Sequence, residues 1–146
     1  MRLRFSRGSL LKPNPMPPKK LCLSVLPAKL AVCRFDPRAP LPDLPVASSF
    51  WSITRTPDEL SLVCAEKDLL PGVQSEKGWR CMKLHGPFEF YETGILSSIV
   101  RPLAAAAVPI FVISTYDTDY LLVKDGDLET AQQVLADEGH RVFAGE

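Results

Sequence analysis

The chain has 146 residues, 46% of them apolar and 23% charged, enough to bury one ordinary core or two small fused ones and too apolar for a disordered chain. Lysines plus arginines equal aspartates plus glutamates at 17 each, but six of the basic residues fall within positions 1–20, which hold no acid. The remaining body, with eleven basic against seventeen acidic residues, lacks the positive surface that holds a phosphate backbone, which argues against a nucleic-acid partner.

The opening stretch MRLRFSRGSLLKPNPMPPKK is Arg-rich and acid-free and lacks the long apolar centre of a secretory signal. Residues 1–19 read as a disordered basic leader, with a weaker resemblance to a mitochondrial transit peptide and with Met16 as an alternative start. The expected setting is the cytoplasm. No apolar run approaches the roughly 20 residues that span a bilayer, so no membrane partner is expected. The four cysteines, Cys22, Cys33, Cys64 and Cys81, show no CxxC spacing and sit among apolar neighbours. They read as buried free thiols, and neither a metal nor a cofactor is expected.

Strands are expected at Leu21–Leu26 and Lys29–Phe35, separated by Pro27. The Pro-rich stretch Asp36–Pro45 must be an extended loop, because proline can neither continue a helix nor donate to a central ladder. Phe50–Thr54 and Leu60–Ala65 read as strands around a turn at Thr56–Glu59. Glu66–Lys77, polar and containing Pro71-Gly72, reads as a connector. Trp79–Leu84 reads as a strand, and both Trp51 and Trp79 are expected in the core.

His85–Gly94 reads as a loop. Ile95–Ala107 places Leu96, Ile99, Val100 and Leu103 at helical spacing, and Pro102 should kink that helix at a cost of about 3 kcal/mol. Ile110–Thr115 reads as an apolar strand, Asp117-Thr118 as a hairpin turn, and Tyr120–Lys124 as the returning strand. Asp127 is a good N-cap for a helix over Leu128–Glu138, whose inward face is Leu128, Ala131, Val134 and Leu135, with Gly139 at its left-handed end. His140–Phe143 closes the chain as a strand.

The second half therefore runs β-α-β-β-α-β, which folds as a four-stranded antiparallel sheet with both helices on one face. The first half has a similar strand tally without the helices. The fold class is α+β: tandem ferredoxin-like βαββαβ units, a degenerate one over residues 20–76 and a complete one over residues 77–146. In such a unit the loop after the first strand and the turn after the second lie at one end, so Glu92 and Asp119 can face one pocket. Two carboxylates among free backbone groups suit a small cationic or zwitterionic ligand. No nucleophile–base pairing, nucleophile elbow or phosphate loop is present in the sequence, which disfavours an enzyme.

Three segments, FWSITRTPDELSLVC (50–64), GWRCMKLHG (78–86) and STYDTDYLLV (114–123), resemble the small two-part ACT-domain proteins, amino-acid binders found widely in bacteria. More weakly, Glu92-Thr93-Gly94-Ile95 and Ser114–Asp119 resemble the matching loops of the animal cytosolic arginine sensors, which are built from tandem ACT units. That resemblance implies backbone contacts to an amino acid at Thr93, Gly94, Ile95 and Thr115, acidic contacts at Glu92 and Asp119, and Tyr116 packing nearby. It also implies that the other wall of the site comes from the first half or from a second copy.

The bland alternatives are a Gly94 that merely starts a helix, an Asp117 that caps its own turn, and a partly exposed loop position for His85. The expected function is a regulatory protein that binds a free amino acid and catalyses nothing. The alternatives are a ligand-free assembly module, with Ile110–Ile113 joining copies as a homodimer, and an in-trans regulator of an amino-acid biosynthetic enzyme such as aspartate kinase.

Overall fold

A computed structural model describes residues 20–86, 88 and 93–145; the expected leader and Glu92 lie outside the described residues. Eight strands and two helices run in the order β1 (Cys22–Val25), β2 (Leu30–Phe35), β3 (Trp51–Arg55), β4 (Leu60–Ala65), β5 (Gln74–Leu84), α1 (Ile95–Ala105), β6 (Ile110–Ser114), β7 (Asp119–Lys124), α2 (Leu128–Asp137) and β8 (Arg141–Ala144). The architecture is α+β, as the hydrophobic patterning implies.

All eight strands join one sheet, and β5 is its spine. Its first part pairs antiparallel with β2, placing Cys33 opposite Ser75. Its second part pairs antiparallel with β1 on one side and with β7 on the other. β7 returns to β6, and β2 continues outward through β4 to β3. The expected connector therefore ends earlier than its polarity suggests, because β5 starts at Gln74 rather than at Trp79. Gly78 explains the concealment: its φ of 79° breaks the strand's alternation, and its N–H is held by the Glu66 carboxylate at 2.7 Å.

The order of the second half also differs from a self-contained βαββαβ sheet. β5, β7 and β6 are arranged antiparallel as expected, but β1 lies between β5 and β8. Leu23 is opposite Leu84 on one side and opposite Val142 on the other, and the β1–β8 pairing is parallel. The division expected at residues 76 and 77 thus falls inside β5.

Three apolar clusters pack against the sheet. On one face Leu23, Met82, Leu84, Leu121 and Val123 meet Ile95, Ile99 and Leu103 of α1 and Ala131 and Leu135 of α2. The buried stripe of α1 is Ile95–Ile99–Leu103, one residue before the expected Leu96-based face at its start. On the other face Cys81 and Leu122 are covered by Leu30, Val63 and Ala65 from β2 and β4. A smaller layer of Ala31, Cys33, Leu62 and Cys64 lies outside β2 and β4. Trp79 packs tilted against Phe111, but Trp51, on the edge strand β3, is 44% exposed. Its expected core position is therefore corrected: an edge strand has a neighbour on one side only.

Pro102 lies within α1, which continues to Ala105. A proline there has no N–H for the carbonyl four residues back, Ser98. That carbonyl receives the Nε2–H of His140 instead, at 3.2 Å, while His140 Nδ1 accepts the N–H of Leu21 at 3.0 Å. His140 is thereby a buried bridge between α1 and the start of β1. Asp127 precedes α2 without a side-chain capping bond, since its backbone (φ −100°, ψ −5°) is already near-helical and not the extended form that a capping side chain uses.

All four cysteines are free, with Cys33, Cys64 and Cys81 buried. Burial pushes the Cys81 thiol up to about 12; burial first, then the neighbouring Cys33, pushes Cys64 up to about 12. A folded thiol held neutral above the ordinary value of 9.0 gives stability that is complete below that value and is lost as pH rises towards 12. The urea midpoint is therefore expected to fall between pH 8 and pH 11, and Cys81→Ala should flatten that fall.

Candidate functional site

The end of the sheet where β5 finishes and β6 turns into β7 carries the candidate site. Ser114 is opposite Asp119, so residues 115–118 form the connecting turn. Thr115 N–H donates to the Thr118 carbonyl at 2.8 Å, and the Thr115 hydroxyl reaches the same carbonyl at 3.0 Å. The buried Thr118 hydroxyl donates to the Leu84 carbonyl at 2.6 Å and ties the turn to the end of β5. Gly86 lies against that turn: a Cβ there would meet the Asp117 carbonyl oxygen at 3.1 Å and the Phe88 nitrogen at 3.0 Å. Phe88 N–H donates to the same Asp117 carbonyl at 3.1 Å.

A cleft of about 340 Å³ opens beside these groups, lined by Lys83, His85, Gly86, Thr115, Asp117, Thr118 and Tyr120. Lys83 and Tyr120 are register partners across β5 and β7. They share the sheet face of Cys81 and Leu122, away from the helices, by the period-2 alternation of a strand. The Tyr120 ring packs on Phe50 with centroids 4.9 Å apart, giving the cleft an apolar flank. The His85 ring is hydrogen-bonded to the Ser24 hydroxyl.

Of the residues expected in the site, Thr115 lines this cleft. Asp119 is at the start of β7 and its Oδ1 accepts the Ser114 hydroxyl. Tyr116 is 80% exposed at the tip of the turn. Thr93 and Gly94 are exposed at the start of α1, where Gly94 takes the left-handed conformation (φ 79°, ψ −6°). Ile95 buries its side chain under the helices, which leaves only its backbone N–H for a ligand. Thr93, Gly94, Ile95, Tyr116 and Asp119 are not among the residues lining the cleft.

Lys83 and the anchoring role of Thr118 escape a reading of the sequence. The signal for Lys83 is its parity with Cys81 on one strand face. For Thr118 it is a threonine between two aspartates in a turn. Among the described residues no group of three or more His, Cys, Asp or Glu is placed to hold a metal ion, and no helix is long and apolar enough to cross a membrane.

A family model described as "ACT domain" matches residues 74–137, the span from β5 to α2. A second model, of an N-terminal domain, matches residues 28–71. The crystal structure of a protein from Agobacterium tumefaciens is 38% identical, with a TM-score of 0.82 over 88% of this chain and 96% of that one. The cytosolic arginine sensor for mTORC1 subunit 1 is 32% identical in mouse and 31% in human, in each case over 61% of this chain and 30% of the relative. The chain thus spans about 30% of the length of these curated relatives. Aspartate kinase from Clostridium acetobutylicum shares the fold at 13% identity, with a TM-score of 0.61 over 80% of this chain and 34% of that one.

Proposed function

Because the chain belongs to the ACT-domain family, we propose that it is a cytoplasmic regulatory protein that binds a free amino acid and catalyses no reaction. The observation that carries this reading is the position of the cleft: it falls within the matched segment and joins a lysine, an aspartate and three hydroxyl groups in one recess. Such a lining complements a small zwitterion better than an apolar or polyanionic ligand. The curated relatives are named for sensing arginine, which supports an amino acid as the ligand class.

In this reading the exposed backbone at Thr93 and Gly94 and the first N–H groups of α1 at Ile95, which do not line the cleft itself, reach the ligand at its rim from the start of α1. Thr115, Tyr116 and Asp119 hold it from the hairpin side. The ligand shifts the protein only by its differential affinity for the closed arrangement. A thermal-shift screen against the twenty amino acids is the test. At 100 times its dissociation constant the ligand should add about 2.7 kcal/mol of stability; no shift with any of the twenty would rule the reading out.

A second reading concerns assembly. Among the described residues β6 pairs only with β7, so its outer backbone edge, on a strand without a charged side chain, is open to a second copy. Sedimentation should show a dimer; a monomer at all concentrations would dismiss it.

A further inference from the structure

We infer that Lys83 and Asp117 form the clamp for the ligand's own α-carboxylate and α-ammonium groups, so that this cleft selects free α-amino acids over their amides and N-acylated forms. This inference rests on the amino-acid-binding reading above. Lys83 and Asp117 line one cleft, and among the described residues neither side chain has a hydrogen bond or an ion pair. Two neighbouring cations, Arg80 on β5 and Lys124 on β7, are already partnered. Arg80 is engaged by Asp125 at 3.3 Å and by the Leu26 carbonyl. Lys124, across from Trp79, is held by the Lys77 carbonyl and by Glu76.

Lys83 is fixed by its strand between Ser24 and Tyr120, while Asp117 is fixed by a turn whose backbone is bonded to Phe88 and whose next residue is tied to Leu84. One cation and one anion are thus held on separate rigid supports at the same recess, the arrangement that reads a zwitterion's two ends at once. The adjoining Tyr120 and Thr115 hydroxyls can extend the hydrogen bonding to the carboxylate. A ligand lacking either charge leaves one clamp residue desolvated without a partner.

The test is calorimetric titration with the amino acid that gives the largest thermal shift, with its carboxamide and with its N-acetyl derivative. Wild type should bind both derivatives roughly 10- to 150-fold more weakly, the loss of one charge-assisted hydrogen bond. Lys83→Met should bind acid and carboxamide equally, and Asp117→Asn should bind the free and N-acetyl forms equally. Each comparison is made within one folded variant, so a general loss of stability does not mimic it. Full discrimination retained in both variants would overturn the clamp and leave amino-acid binding standing. No binding of any amino acid by wild type would overturn both.

Discussion

A fragment that begins at residue 77 is expected not to fold on its own, although it holds both helices and the strands of the expected complete unit. Three losses combine. β8 loses its parallel neighbour β1, and the edge of β5 that pairs with β1 is left bare. Leu21, Leu23 and Val25 leave the core beneath α1 and α2, which at about 1.5–3 kcal/mol per fully buried side chain amounts to most of the roughly 5–15 kcal/mol that stabilises a domain. On the other face Cys81 and Leu122 lose their cover of Leu30, Val63 and Ala65. Circular dichroism and thermal melting of the fragment are the check. A non-cooperative melt is expected, and a cooperative transition near that of the full chain would show that the halves are separable.

His140→Leu should destabilise the protein by about 2–5 kcal/mol. The substitution leaves the Leu21 N–H and the Ser98 carbonyl without their partner, and each buried unsatisfied polar group costs about 1–3 kcal/mol. The Ser98 carbonyl is in that position only because Pro102 cannot donate to it. Pro102→Ala supplies the missing N–H, so it should be more stabilising in the His140→Leu background than in wild type. Urea denaturation of the two single variants and the double variant gives the coupling energy. Simple additivity would mean that His140 does not serve the proline.

These two cases mark where the sequence is legible and where it is not. β4 is an apolar run between clear turns, and its limits at Leu60 and Ala65 match the reading of the sequence. The inward face of α2 is likewise visible in its spacing, because one face is buried and the other solvated. By contrast, the first residues of β5 are polar and interrupted by the left-handed Gly78, so period-2 alternation is lost and the segment resembles a connector. The insertion of β1 between β5 and β8 is a long-range pairing with no local signature.

Local patterning reads Pro102 as a defect, whereas its compensation comes from a histidine 38 positions later, at residue 140. At the site, the turn and the Gly94 helix start follow from residue type. Lys83, on a strand of mixed polarity, becomes conspicuous only when the turn at 115–118 is folded beside it.

The most direct measurement is a two-dimensional amide NMR titration of the full chain with the amino acid that gives the largest thermal shift. If an amino acid binds at the end of β5, amide signals of Thr93–Ile95 and of Thr115–Asp119 should move with saturable dependence on concentration, while those of β3 and β4 stay fixed. Unmoved signals at both loops under saturating ligand, or shifts confined to β3 and β4, would contradict amino-acid binding at this end of the sheet.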